Sequence, residues 1–209
     1  MEGGFIENES TILKGPVTEK SLNFLLCNVR GLNSKADSVM DILVDLDIHI
    51  AFINETWFKS KTFDFEGFNC SFANRSNGRG GGLMTLVRKS LNPVCLQLDK
   101  SDPDSLSEWL FIKTIINNKV YFLMNVYGPQ ESEKSSRVES FFDKISFTVA
   151  KYTDFDDNVI LAGDLNAKLN HSRNGKFVNN IVDTHKLRTS VQRDQPSIIV
   201  GDVVNWIMS

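Results

Sequence analysis

The chain has 209 residues, 41% hydrophobic and 10% aromatic, which supplies apolar mass for one large core and reads as one domain rather than two. A formal net charge of −3 and a pI near 5.6 exclude a globally basic nucleic-acid binder, so any polyanion contact must use a local patch. No apolar run approaches the roughly 18 residues of a membrane-crossing helix. Cys27, Cys70 and Cys95 form neither a CxxC pair nor an even set, the usage of free thiols in a reducing, intracellular compartment.

Residues 1–20 mix Glu2, Glu7, Glu9, Lys14 and Glu19 with Gly and Ser and lack a signal-peptide core, which predicts a flexible N-terminal arm ahead of a domain over 21–209. Residues 22–29 (LNFLLCNV) form an apolar run that stops at Arg30-Gly31, as a strand buried on both faces does. Ser34 and Asp37 resemble a capping box, after which Val39, Ile42, Leu43 and Leu46 recur at helical spacing. A second buried strand is predicted over residues 48–54 (IHIAFIN), delivering Glu55 at its C-terminal end. The glycine-rich residues 75–82 (RSNGRGGG) predict a loop feeding a strand over 83–87.

Two β-rich runs, 109–116 and 119–127, flank Asn117-Asn118 and predict a hairpin. Ser136 and Glu139 again resemble a capping box, with Val138, Phe142, Ile145, Val149 and Tyr152 on one helical face. A strand restarts over 158–162, and residues 196–209 read as a closing hairpin around Gly201-Asp202. Hairpins and helix-linked strands together predict an α+β fold, a four-layer sandwich of two packed mixed sheets flanked by helices.

The residues that could carry chemistry sit at strand ends. In Gly163-Asp164-Leu165-Asn166, a carboxylate and an amide two positions apart leave a strand toward a common side, although these are also ordinary turn formers. Glu55 ends an apolar strand, where a carboxylate is either solvated at the rim or holding a cation. Asn28 lies within an apolar run and needs partners, from the backbone or from a ligand. Tyr127 closes the second hairpin strand, a position equally suited to half-buried packing.

The ordered set CNVRGLN, FINETWF, GRGGGL, NVYGP and LAGDLNA resembles the endonuclease/exonuclease/phosphatase superfamily. The glycine loop and the Val126-Tyr127-Gly128-Pro129 wording resemble the endonuclease domain of jockey-like non-LTR retrotransposons, over about residues 22–170. The resemblance implies a Mg²⁺-dependent (or Mn²⁺-dependent) DNA endonuclease. It places Asn28 and Glu55 at metal and phosphate, Tyr127 against the phosphate, and Asp164 and Asn166 at the reacting centre. It further implies DNA as partner, a reverse transcriptase encoded elsewhere, and nuclear action on genomic DNA.

The family pattern continues with a threonine strand, an aspartate strand and a terminal Ser-Asp-His. Against it, Ser197 falls near the threonine, and Asn205 or Met208, depending on register, replaces the aspartate. No Ser-Asp-His occurs up to Ser209, and His49, His171 and His185 take no assigned role. The expectation is therefore a domain incomplete at its C-terminus, lacking its last strand, with weak or no nicking. Two further readings stay open: a small-substrate phosphoesterase of the same superfamily, and a non-catalytic nucleic-acid-binding remnant. The second would use Arg75, Arg79, Arg88 and Lys89 as a basic patch around the glycine loop.

Overall fold

The computed structural model describes residues 11–12, 22–59, 63–76, 80–103, 105–116, 118–154, 157–169, 171–187, 189–190, 197–201 and 205–208. Its elements in chain order are β1 (Thr11–Ile12), β2 (Asn23–Asn28), α1 (Ala36–Asp45), β3 (Ile50–Asn54), β4 (Phe68–Ala73), β5 (Leu83–Arg88), β6 (Val94–Lys100), β7 (Glu108–Ile116), β8 (Lys119–Tyr127), α2 (Ser135–Tyr152), β9 (Asn158–Asp164), α3 (Arg173–Thr184), β10 (Thr189–Ser190), β11 (Ser197–Gly201) and β12 (Asn205–Met208). They build two six-stranded sheets, ordered β1-β12-β2-β3-β5-β4 and β10-β11-β9-β8-β7-β6.

Strand alternation sorts the apolar side chains into layers, because residues two apart share a face. In β2, Phe24 and Leu26 join Ile50, Phe52, Leu83 and Val87 against Leu110, Ile112, Leu123, Ile160 and Ala162 of the other sheet. The intervening Leu25 and Cys27 pack outward with Val39 and Leu43 of α1. On the far side, Phe111, Phe122, Met124 and Leu161 pack against Val138, Phe142 and Ile145 of α2 and Val178 and Ile181 of α3. The order α1, sheet, sheet, α2 with α3 is the four-layer sandwich expected from the sequence.

Both central pairs are parallel, β2 with β3 and β8 with β9, so each sheet gathers two strand C-termini at one end. The β7–β8 hairpin forms as expected, with Asn118 at φ 62° in its turn.

Two expectations are corrected. Residues 196–209 do not close on themselves: β11 pairs antiparallel with β9 in one sheet, while β12 pairs parallel with β2 in the other, because each sheet offers a free edge beside a central strand. Neither expected capping box forms. Lys35 and Lys134 occupy the cap positions of α1 and α2 with no side-chain cap bond, and Lys35 N instead donates to Leu32 O across 2.9 Å. The expected N-terminal arm lies outside the described residues except for Thr11–Ile12, which pair with β12. Among the described residues, no helix is long and apolar enough to cross a membrane.

Candidate active site

The alternation that builds the inter-sheet core also makes the site. Asn28 continues the inward series Phe24, Leu26. Tyr127 continues Leu123, Asn125, and Asp164 continues Ile160, Ala162. At the strand C-termini the apolar series ends, and polar side chains from both sheets face one another. Tyr127 and Asp164 are register partners in the β8–β9 ladder.

Glu55 follows β3 in a left-handed backbone, φ 56°, as does Trp57 at φ 60°, a conformation that non-glycine residues adopt only where their surroundings enforce it. The enforcement is visible in main-chain bonds: Gly31 N to Glu55 O at 2.8 Å, Thr56 N to Gly82 O at 3.1 Å, and Trp57 N to Gly81 O at 2.9 Å. The glycine loop thus acts as a splint for the segment carrying the carboxylate.

Four residues converge on these carboxylates. Asn28 Nδ2 donates to Glu55 Oε1 at 2.9 Å and lies 3.4 Å from Asp164 Oδ2. Tyr127 Oη donates to Glu55 Oε1 at 3.3 Å, and Trp57 Nε1 donates to Glu55 Oε2 at 3.2 Å. Asn166 N donates to Asp164 Oδ1 at 3.1 Å, and Asn166 Nδ2 to Gly128 O at 2.9 Å. Asn28, Glu55, Tyr127 and Asp164 therefore form one cluster of side chains, which Asn166 joins through its backbone N–H.

Burial raises the Asp164 carboxyl above the usual carboxylate range, and the Glu55 charge pushes the same way against the bonds from Asn166 and Asn28. Burial and the same two carboxylates push the Tyr127 phenol up to about 12, so it remains a proton donor. Gly163, inside β9, lets that strand approach β8 closely: it sits at φ 149°, and a Cβ there would lie 1.9 Å from Val126 O.

The structure adds residues that the sequence reading did not single out. Glu108, 2% exposed, accepts from Gly82 N at 3.0 and 2.9 Å and pairs with Arg75 at 3.1 Å. Asn54 and Asn125, both fully buried, join the two sheets beneath the site through Asn54 Nδ2 to Asn125 Oδ1 at 3.2 Å. Asn174, at the start of α3, donates to Pro129 O at 2.7 Å and Asn166 O at 3.0 Å. A polar residue at an inward position of an otherwise apolar strand was the available signal for Asn54, Asn125 and Glu108.

Among the described residues, Arg75, Arg88 and Lys89 do not gather into the expected basic patch. Arg75 is buried, its guanidinium spent on Glu108 and on Leu106 O. Arg88 lies at the opposite end of the sheet, bonded to Ile48 O, Leu43 O and Asp47 Oδ1, and Lys89 follows it there. Strand β5 runs antiparallel to β3, so it carries these cations away from Glu55. Arg79 lies outside the described residues.

Ser197 is the register partner of Asp164. Asn205 and Met208 pair with Asn23 and Leu26, neither level with Asn28. The histidines lie elsewhere: His49 Nδ1 accepts from Asn23 N, His185 bonds Ser146, and His171 is exposed at the turn before α3.

The donor set fits a hard divalent cation. Asn28 Oδ1 is buried without a partner, beside two carboxylates whose charges raise proton affinity at the site. Among the described residues, no group of three or more His, Cys, Asp or Glu gathers.

Comparison with solved structures finds the same architecture in the endonuclease domain of TRAS1, a telomere-specific non-LTR retrotransposon (TM-score 0.64, 14% identity, covering 85% of this chain and 84% of that one). It recurs in an AP endonuclease from Archaeoglobus fulgidus (0.59, 16% identity, 85% and 84%). It recurs also in a 3′ phosphatase from Neisseria bound to a product DNA hairpin (0.59, 15% identity, 86% and 85%). At these identities the likeness shows the fold. The comparison with curated proteins finds no match. Residues 25–186 match the Endonuclease/Exonuclease/phosphatase family, and with most of its length so matched this chain belongs to that family.

Proposed function

We propose that this chain is a Mg²⁺-dependent DNA endonuclease domain that nicks target DNA for a non-LTR retrotransposon. The observation that carries the reading is the meeting of Glu55, Tyr127 and Asp164 from two sheets beside the Asn28 amide, whose oxygen is buried and unpartnered. DNA is the substrate class favoured by the nuclease neighbours. A reverse transcriptase would be a separate partner, and action on genomic DNA would place the protein in the nucleus.

Glu55 and Asn28 Oδ1 would hold the cation, which when bound would shield phosphate charge and polarise the scissile linkage. Tyr127, kept protonated by its surroundings, donates to a phosphate oxygen. Asp164, with proton affinity raised by burial, orients the attacking water or protonates the leaving oxygen. The Asn166 amide, tethered to Gly128 O by one N–H, has a second to offer the charge developing in the transition state.

Among the described residues no histidine reaches this cleft. General-base assistance typically contributes about 10²–10⁴-fold, so slow nicking is expected from the described constellation alone.

A supercoiled-plasmid assay tests the reading. Nicking that requires Mg²⁺ or Mn²⁺ and disappears in Glu55→Ala supports it; no nicking with either metal, or nicking indifferent to Glu55→Ala, refutes it.

A further inference from the structure

Trp57 has features that a structural tryptophan does not need. It is 41% exposed, among the few large hydrophobic side chains left open to solvent. It adjoins the cluster of strand-end side chains, with its indole N–H on Glu55 Oε2 at 3.2 Å. Its six-membered ring lies against Gly31, where a Cβ would come within 2.8 Å of Cε3. Gly80 lies beside the ring nitrogen, a Cβ there reaching Nε1 at 3.6 Å.

Gly31 therefore leaves room for the ring, and a hydrogen bond holds its edge. An aromatic plane held this way loses little conformational entropy when a flat ligand settles on it. The ligand must also lie beside the carboxylate proposed to hold the cation and phosphate. A nucleobase attached to the neighbouring sugar satisfies both conditions, because every base has a π-face and stacking on an aromatic side chain tolerates any sequence.

We propose that Trp57 is a stacking subsite for a nucleobase flanking the scissile phosphate. The inference rests on the DNA reading above and adds a base-contacting residue to it. The seat for the base is the solvent-facing part of the indole, and the seat for the backbone is the Asn28–Glu55–Tyr127 cluster. Because Glu55 accepts from the same indole, the base and the phosphate are positioned relative to one another by a single side chain.

The test compares two single strands of equal length and charge in Mg²⁺: oligo(dT), and a phosphodiester strand with abasic residues throughout. Binding is measured by anisotropy for the wild type, Trp57→Phe and Trp57→Leu, with thermal melts to confirm that each variant folds. Stacking is worth about 1–3 kcal/mol per base, so Trp57→Leu is expected to bind oligo(dT) about 5- to 150-fold more weakly than Trp57→Phe, which equally lacks the indole N–H on Glu55, while the two variants bind the abasic strand alike. Trp57→Phe, which keeps the ring, is expected to retain most of the preference. Tryptophan emission should change on adding oligo(dT) to the wild type and much less in Trp57→Phe.

Equal binding of oligo(dT) by wild type and Trp57→Leu overturns the stacking subsite while leaving the nuclease reading intact if plasmid nicking persists. Failure of the wild type to prefer oligo(dT) over the abasic strand likewise overturns the subsite, and absence of plasmid nicking overturns the DNA reading and this inference with it.

Discussion

The side-chain amide of Asn28, at the end of β2 in one sheet, lies 3.4 Å from the carboxylate of Asp164, at the end of β9 in the other. This contact across 136 positions of sequence brings the two halves of the cleft together, and the acid of the proposed reaction is buried in the process.

The first prediction follows from that burial. The folded-state pKa of Asp164 is raised, with burial the leading cause, so the folded chain binds its proton more tightly than the unfolded chain does. Its contribution to stability is fully present below the unfolded pKa and is lost as pH rises through the folded pKa. Asp164→Asn removes this loss. Thermal melts should show the variant gaining Tm relative to wild type as pH rises from 4 to 8, while nicking disappears. A Tm advantage that shrinks with rising pH would contradict the assignment.

Tyr127 provides a second test. Its phenol is pushed to about 12, so it should donate throughout the working range and set no alkaline limb of the rate profile. Tyr127→Phe should lower the nicking plateau by about 10²–10³-fold, as loss of one transition-state donor does, without moving the limb. A displaced limb would mean that the tyrosine titrates during turnover.

The Arg75–Glu108 pair, 7% and 2% exposed at its side chains, should behave as a brace. Removing one partner of a buried pair costs about 3–5 kcal/mol. Arg75→Ala should therefore reduce urea stability by about that much and leave the salt dependence of DNA binding unchanged. A reduced salt slope with unchanged stability would restore Arg75 as a phosphate contact.

Asn125→Leu should destabilise the chain by about 1–3 kcal/mol per polar group left unsatisfied. The variant removes the acceptor for Asn54 Nδ2 and the donor to Ile53 O and Met84 O. Equilibrium denaturation reads the loss directly; a neutral variant would show that the amide pair contributes nothing net.

The inward-facing strands and the strand-end site residues were legible because period-2 alternation and an apolar run broken by one polar residue are local signals. Asn28, Glu55, Tyr127 and Asp164 each stood out in this way, and the family resemblance ordered them. Strands β4 and β6 were not identified: β4 mixes Asn69 and Ser71 into its apolar run, and β6 is an edge strand with Val94 and Leu96 exposed. The basic patch misled because nearness in sequence says nothing about which end of a strand a cation occupies. Arg75 needed its partner Glu108, 33 positions away, to be recognised as interior. The separation of β11 and β12 into different sheets depends on long-range pairing, which a turn-like Gly201-Asp202 cannot disclose.

The buried amides of Asn54 and Asn125 have a consequence beyond their energy. Leucine, isoleucine and phenylalanine grip one another across the interface with little preference for position, so greasy layers can slide by a residue pair and still fit tolerably. Two complementary amides meet in only one alignment. Like a locating pin between machined plates, they hold the two sheets in register beneath the strand-end cluster, so that warming which loosens this fit should abolish the proposed nicking before the chain itself melts.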